Sequence, residues 1–236
     1  MGKLISFVVL AILLNLTCPA GAECWRWTTN GKPADMDYGF RSLFWMAFDK
    51  QRGQPSILFR KDYSYDLELL HYDGRTWQKS WEGYITPPSG FFAGPIGLYF
   101  DRNQNTLILI AGIIYDFEIG SLAAFKYVKG QGWIYIAETG NCYIFGYDVL
   151  PVYDTKRARA VLILSYCSEG YFFVEFDGFQ FHYIEINRND FAFDAGVAGY
   201  NADTGNVVFF GHNRSSLTWE AESYEYDGSS WAKIET

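Results

Sequence analysis

The residue types that usually carry metal or acid–base chemistry are few in this sequence. The three histidines are His71, His182 and His212, and no acidic residue or cysteine lies near them at metal-ligand spacing. We interpret each as an ordinary strand or loop residue, and we predict neither a bound metal nor a cofactor. The segment DRNQNT at Asp101 begins like a calcium loop but lacks the glycine and the closing glutamate of that motif. A hairpin turn with side-chain-to-backbone hydrogen bonds explains it better.

Aspartate directly precedes a glycine at three places, Asp73, Asp177 and Asp227. Glycoside cleavage needs two carboxyl groups within about 5 to 10 Å of each other. These three residues fall in separate repeats of the chain, so we predict that they form turns. The sequence has no Gly-x-Ser-x-Gly elbow, no phosphate loop and no nucleotide fingerprint. We therefore predict no catalytic residue.

Aromatic residues in two connecting segments are the candidate binding residues. Tyr84, Phe91 and Phe92 lie in SWEGYITPPSGFFAGPIG, and Tyr115 lies in IIYDFEIGSLAAF. Aromatic platforms of this kind suit a sugar ring or an apolar peptide. The alternative interpretation is that these side chains pack between neighbouring sheets.

Two motifs recur about every 50 residues and would position all of these side chains. The first is a strand, a polar turn that begins with Asp or Asn, and a second strand; its markers are Asp49, Asp101, Asp154 and Asn201. The second is a strand, a glycine turn and a strand led by an aromatic residue; its markers are Trp77, Trp133, Phe181 and Trp231. Both motifs keep the same order and period, which indicates tandem structural units.

Each repeat contains four short strands joined by tight turns, and no segment shows a helical period of apolar residues. We predict an all-β fold, a β-propeller of about four four-stranded blades. The repeats span approximately 40–84, 92–138, 145–187 and 195–236, with an extra outer strand at 24–29. That strand has no incomplete partner blade. The ring is therefore a closed one with a spare strand, the first part of a longer protein, or an open arc that assembles with another copy.

The repeat resembles a known family. A strand that ends in Met-Ala-Phe-Asp at Asp49, a second strand followed by a glycine at Gly112 and Gly211, and Tyr-Asp-Gly-x-x-Trp ending at Trp77 resemble the Kelch and galactose-oxidase-type propeller repeat. The resemblance extends from Trp25 to Glu235 and implies Kelch-like blades. The copper ligands and the cross-linked Tyr–Cys of galactose oxidase match no motif here, so the resemblance carries over no active site.

The N-terminal segment has the pattern of a secretory signal. Lys3 precedes an apolar run from Leu4 to Leu16, and Ala20-Gly21-Ala22 offers small residues to a signal peptidase. We predict removal of residues 1–22, a mature domain at 23–236, and a secreted or periplasmic protein. Lipoprotein processing at Cys18 is the competing interpretation.

Three cysteines remain after that cleavage. Cys142 and Cys167 flank a predicted hairpin and are expected to form a disulfide, which leaves Cys24 over. Alternatively, all three are small buried apolar residues.

Composition restricts the function. The chain has 236 residues, of which 49% are hydrophobic and 19% aromatic, which is typical of a folded domain. Its net charge of -8 argues against nucleic acid as a partner, and nothing after the signal is apolar enough to insert into a membrane.

We predict a non-catalytic binding module for a protein or glycan ligand. The alternatives are a carbohydrate-active enzyme of the galactose-oxidase or sugar-epimerase type, with a charged central pocket, and a structural part of a larger assembly. Self-association is expected if the ring is incomplete.

Overall fold

The computed structural model of the chain describes residues 44–49, 53–60, 66–116, 119–140, 149–164, 172–185, 193–213 and 221–234. The predicted signal segment 1–22, the predicted strand at 24–29 and the predicted Cys142–Cys167 disulfide lie outside these residues, as does Cys24. All described residues belong to one structural unit, Pro33–Thr236.

Sixteen strands in the described residues form four antiparallel sheets, each with four strands in chain order. Sheet I contains β1 (Phe44–Asp49), β2 (Gln54–Arg60), β3 (Leu67–Tyr72) and β4 (Trp77–Gly83). Sheet II contains β5 (Phe91–Asp101), β6 (Thr106–Asp116), β7 (Ile119–Val128) and β8 (Gly132–Glu138). Sheet III contains β9 (Val149–Asp154), β10 (Arg159–Leu164), β11 (Phe172–Phe176) and β12 (Phe181–Glu185). Sheet IV contains β13 (Phe193–Asn201), β14 (Asn206–Asn213), β15 (Ala221–Tyr226) and β16 (Trp231–Lys233).

The apolar run in β6 shows why the sheets stack. Side chains alternate between the two faces of a strand, and here both faces are buried. Leu107 and Leu109 lie in the core shared with sheet I, whereas Ile108 and Ile110 lie in the core shared with sheet III. Each such side chain contributes about 1.5–3 kcal/mol when it leaves water. A continuous apolar run therefore marks a strand packed on both sides rather than a half-exposed one.

In the part of the chain that the structure describes, three apolar cores fill the spaces between consecutive sheets. The core between sheets I and II includes Leu58, Leu69, Leu109 and Phe125. The core between sheets II and III includes Ile108, Leu122, Leu162 and Phe176. The core between sheets III and IV includes Val161, Phe173, Phe209 and Tyr226.

The first strands of consecutive sheets lie side by side. β1 contacts β5, β5 contacts β9, and β9 contacts β13. The Trp45 indole donates a hydrogen bond of 3.0 Å to the Ile96 carbonyl across the first of these seams. At the second seam, Gly97 lies so close to the Pro151 ring that a Cβ there would overlap it. Four-stranded sheets stacked face to face, with their first strands adjacent, have the arrangement of β-propeller blades.

The aromatic markers of the repeat occupy equivalent places in the four sheets. Each lies at the start of a fourth strand, opposite an aromatic residue near the end of the third strand. The pairs are Tyr72–Trp77, Tyr127–Trp133, Phe176–Phe181 and Tyr226–Trp231. Their ring centroids are 4.7 to 5.5 Å apart, within the favourable range for aromatic pairs. The predicted all-β class and the four-stranded antiparallel sheets are confirmed.

In the part of the chain that the structure describes, no helix has the length and apolar character needed to cross a membrane.

Candidate functional site

The calcium-like loop at Asp101 is a turn held by its own side chain. Asp101 Oδ1 accepts hydrogen bonds from the backbone N–H groups of Asn103 and Gln104, at 2.8 and 3.1 Å. In the turn between β9 and β10, Asp154 Oδ1 likewise accepts hydrogen bonds of 3.0 Å from the backbone N–H groups of Lys156 and Arg157. A side-chain oxygen that accepts two N–H groups stabilises the turn conformation. Among the described residues, no group of three His, Cys, Asp or Glu side chains could hold a metal ion.

Asp73, Asp177 and Asp227 hold the turns between the third and fourth strands of their sheets. Each Oδ1 accepts backbone N–H bonds from the residues two and three positions later, at 2.8 to 2.9 Å. These bonds lower the pKa of Asp73, and they lower the pKa of Asp227 to about 2. At Asp177 burial alone would raise the pKa, but hydrogen bonds from His182 and the backbone outweigh it and lower the pKa. The contacts agree with the predicted turn role.

The four aromatic candidates divide between core and surface. Phe92 is 2% exposed, and its ring meets that of Phe125 edge-on in the core between sheets I and II, with centroids 6.4 Å apart. Tyr115 packs against the same core. Tyr84 and Phe91 are exposed, Phe91 at 71%. Two candidates thus pack between sheets, as the alternative interpretation expects, and two face solvent.

A cleft of about 630 Å³, with both polar and apolar groups in its lining, opens between sheets I and II, at the end that carries the β1–β2 and β5–β6 turns. Sheet I lines it with Asp49, Gln54, Ser56, His71, Gln78 and Lys79. Sheet II and its turns line it with the polar residues Asn105, Thr106, Tyr127 and Lys129 and with the apolar residues Phe100 and Leu107. This cleft is the candidate functional site.

Strand register brings the polar side chains of sheet I together. Ser56 in β2 pairs with His71 in β3, which pairs in turn with Gln78 in β4. Directly paired residues of an antiparallel sheet share a face. His71 lies two residues beyond Leu69, a core residue, and so continues the face of the sheet that packs on sheet II. Polar side chains therefore replace the apolar ones where this face reaches the end of the sheet.

His71 is held in one orientation by Ser56. The Ser56 Oγ lies 2.6 Å from the His71 Nδ1, and the His71 ring lies against the Tyr127 ring at a centroid distance of 6.0 Å. Ser56 is 2% exposed and pairs with His71 across β2 and β3, so its hydroxyl positions the imidazole at the cleft.

Tyr127 joins the two walls of the cleft. The Tyr127 hydroxyl donates a 3.0 Å hydrogen bond to the Ser80 carbonyl, which ties β7 of sheet II to β4 of sheet I. The Thr106 hydroxyl donates to the Tyr127 carbonyl at 2.6 Å. The Lys79 side chain shares the opposite face of sheet I with Glu68 and Glu82, and its ammonium lies 4.0 and 2.6 Å from their carboxylates. These contacts keep the walls in place beside the open volume.

The interface between sheets III and IV is filled at the corresponding position. Glu175 in β11 corresponds to His71 in β3, because each directly precedes the aromatic residue that ends its strand. The Glu175 carboxylate is 4% exposed and accepts hydrogen bonds from the Arg159 guanidinium and, at 2.9 Å, from the Tyr226 hydroxyl. Burial, and then the charge of Glu175, raise the pKa of Tyr226, so its hydroxyl stays protonated.

The four aromatic candidates lie outside the described lining of the cleft, whereas His71, which the sequence analysis interprets as an ordinary residue, is part of it. One signal was available. On strands where alternate residues are apolar, Ser56 and His71 are polar on the face that carries Leu58 and Leu69. A break of this kind at the end of a core-facing row indicates a polar opening.

Comparison with known proteins bears on the fold. No protein-family model and no curated protein matches the chain. A solved structure of a fucose-specific lectin from Aleuria aurantia matches with a TM-score of 0.52 and 11% identity, over 83% of this chain and 61% of the lectin. Another structure of this lectin, described as a six-bladed β-propeller, matches with a TM-score of 0.50 and 12% identity over the same shares.

An endo-arabinase from Bacteroides thetaiotaomicron matches with a TM-score of 0.47 and 9% identity, over 82% of this chain and 79% of its own. The lectin is longer than this chain, which spans 61% of it, less than two thirds of the lectin's length. At such identities a likeness concerns the fold alone. Together with the stacked four-stranded sheets, the match to the lectin assigns the described part of the chain to the β-propeller fold.

Proposed function

We propose that the protein is a non-catalytic glycan-binding propeller and that the cleft between sheets I and II holds the sugar. The cleft itself carries the proposal, since it is an open volume of about 630 Å³, lined by hydrogen-bonding side chains as well as apolar ones, beside a tightly packed core. Volumes of about 300–1,000 Å³ are typical of small-ligand sites. The fungal lectin that shares the fold is fucose-specific, which is consistent with a carbohydrate ligand.

The chemistry of the lining suits sugar hydroxyls. A hydroxyl both donates and accepts hydrogen bonds, so its best partners offer both functions. The amides of Gln54 and Gln78 each carry a donor and an acceptor, and the His71 ring, whose Nδ1 lies 2.6 Å from the Ser56 Oγ, lines the cleft beside them. The Tyr127 ring adds an apolar face against which the C–H side of a sugar can pack.

The acidic groups of the cleft favour binding over catalysis. Asp49 is the carboxylate among the described lining residues, and it is 4% exposed. Glycoside hydrolysis needs two carboxyl groups on either side of the scissile bond. Asp49 also occupies the turn position at which Asp101 and Asp154 accept backbone hydrogen bonds. A role in forming the turn therefore accounts for it.

A glycan array probed with the purified full chain tests this proposal. We expect binding to a defined subset of glycans, and a loss of affinity of about tenfold or more in the variants His71→Ala and Gln78→Ala, because each removes a direct hydrogen bond. His182→Ala is the matched control, since this histidine lies on sheet III outside the cleft. Binding of no glycan, or wild-type affinity in both cleft variants, would show that the proposal is wrong.

Finer features of the protein are also part of what we propose. They are Kelch-type blades, a ring of four blades, secretion after removal of residues 1–22, and the Cys142–Cys167 disulfide. Small-angle scattering of the mature chain tests the ring. A closed four-bladed ring gives a compact monomer, whereas an open arc elongates or self-associates, because its outer sheets expose unpaired faces.

A further inference from the structure

Three hydroxyl groups of the cleft lining already donate to the protein itself. The Thr106 hydroxyl donates to the Tyr127 carbonyl, and the Tyr127 hydroxyl donates to the Ser80 carbonyl. The Ser80 hydroxyl donates in turn to the Leu69 carbonyl at 3.1 Å. These bonds hold the two walls of the cleft, so their hydrogens are not available to a ligand.

Three other side chains of the lining are not used in this way. Gln54, Asn105 and Lys129 make no hydrogen bond or ion pair among the residues that the structure describes. All three lie at the turn end of the cleft, because Gln54 follows the β1–β2 turn, Asn105 ends the β5–β6 turn and Lys129 begins the β7–β8 turn. Asn105 and Lys129 are exposed, and Gln54 is half-buried. These turn-end side chains can therefore bind a ligand without giving up a contact within the described protein.

Asn105 is not required by the turn that it ends. The equivalent residues of the other three turns are Gly53, Ala158 and Gly205, and all four positions have a positive φ, between 52° and 72°. Glycine adopts this conformation most readily, and every other residue is less favourable there. The backbone thus gives no reason for an asparagine, whose amide lies in the cleft lining.

The turn-end side chains favour a neutral ligand with a strong acceptor oxygen. Lys129 and Asp49 are of opposite charge, and the Lys79 ammonium lies beside the carboxylates of Glu68 and Glu82, so the lining has no excess of either charge. Donors nevertheless outnumber acceptors among the turn-end side chains. Each amide offers an NH₂ group and one oxygen, whereas the ammonium offers only donors.

Buried apolar side chains lie beside this polar group. Phe100 and Leu107 line the cleft, although they are only 7% and 4% exposed. An acetamido group matches both parts of the lining, because it joins a carbonyl acceptor and an N–H donor to a methyl group. The methyl group gains by leaving water for an apolar contact. A hydroxyl at the same place on a sugar has neither the carbonyl nor the methyl group.

We infer that Gln54, Asn105 and Lys129 determine the specificity of the cleft and that it binds a neutral N-acetylated sugar. The inference rests on the proposed glycan-binding function and names the class of sugar. The Lys129 ammonium donates to the acetamido carbonyl, and the amides of Asn105 and Gln54 bind its N–H group and the neighbouring hydroxyls. The methyl group packs toward Phe100 and Leu107.

The test compares sugars that differ in their acetamido groups. Chitotriose is paired with cellotriose, and N-acetyllactosamine with lactose, because in each pair a hydroxyl replaces the acetamido group. The full chain is titrated with each sugar by calorimetry. We expect at least one acetylated sugar to bind about tenfold or more tighter than its partner. This preference should persist at about 500 mM salt, since the ligand carries no charge to be screened.

Variants of the turn locate the effect. Asn105→Gly keeps the positive φ that the turn needs and should leave the melting temperature unchanged, but it should weaken binding of the acetylated sugar about fivefold or more. Its effect on the hydroxyl partner should be smaller, and Lys129→Met should act in the same direction. Asn103→Ala is the matched control, because Asn103 is an exposed asparagine of the same turn that lies outside the described lining.

Each outcome bears on one of the two claims. Equal affinity for both members of each pair, or an Asn105→Gly variant that keeps the full preference, would overturn the inference and leave glycan binding intact. An array that shows binding only to sugars without an acetamido group would do the same. Binding of no glycan at all would instead overturn the proposed function, and the inference with it.

Discussion

The ion pair between Arg159 and Glu175 provides a quantitative test of how sheets III and IV are joined. Arg159→Met removes the guanidinium but keeps much of the apolar side chain, and it leaves the buried Glu175 carboxylate with the Tyr226 hydroxyl. Removal of one partner from a fully buried pair costs about 3–5 kcal/mol. The Arg159 side chain is 35% exposed, so water can partly solvate the carboxylate in the variant. We therefore expect a loss of about 2 kcal/mol in the free energy of unfolding.

Urea unfolding measures this loss as a lower midpoint with an unchanged slope. The melting temperature should fall by about 4–8 °C, since 1 kcal/mol corresponds to about 2–4 °C in a domain of this size. Adding Glu175→Gln to Arg159→Met should restore about 1 kcal/mol, because a neutral amide costs less to bury than an unpaired carboxylate and still accepts from Tyr226. The stability regained in the double variant measures the cost of the unpaired Glu175 charge, separately from the packing lost with the Arg159 side chain.

An ion pair on sheet IV whose lysine is exposed supplies the control. Lys233 and Glu222 lie 2.6 Å apart with side-chain exposures of 55% and 13%, and Glu222 keeps a hydrogen bond from the Tyr224 hydroxyl when the lysine is removed. Lys233→Met should therefore cost no more than about 0.5 kcal/mol. If Arg159→Met costs no more than this control, or if the added Glu175→Gln brings no recovery, the ion pair does not join the sheets as we argue.

Two further predictions concern the seams and the turns. Gly97→Ala should lower the free energy of unfolding by about 1–3 kcal/mol, because its Cβ would overlap the rigid Pro151 ring of the next sheet. Gly199→Ala, which has no atom within 4 Å of the new Cβ, should change the urea midpoint little, and equal effects would contradict the close seam. The Asp227 pKa of about 2 is below its ordinary value of 3.8, so its contribution to stability is present above that ordinary value and is lost as the pH falls toward 2. Asp227→Asn should therefore flatten thermal stability against pH across that window, and an unchanged slope would exclude this role.

The strands could be predicted because their signals are local. The aromatic residue that begins each fourth strand, such as Trp77 or Trp231, follows a glycine turn at a fixed distance. Alternation of apolar residues and the conformational demands of such turns act within a few residues. The sheets consequently have the strand number and order that the repeats imply.

The candidate site could not be predicted in the same way. Phe92 and Tyr115 have the composition of a binding platform, but packing against sheet I makes them part of a core. His71 looked ordinary because a histidine in a strand has many roles. Its position in a cleft depends on Tyr127 and Lys129, which come more than 50 residues later in the chain.

The sequence by itself determined an all-β chain of repeated four-stranded antiparallel units, because strand periodicity and turn chemistry are properties of short segments. Only the tertiary structure decided which space between sheets is open and which is filled. The same register position holds His71 beside an open cleft and Glu175 inside an ion pair. A cavity is bounded by side chains from two sheets at once, so its volume and charge are set by packing rather than by either segment alone.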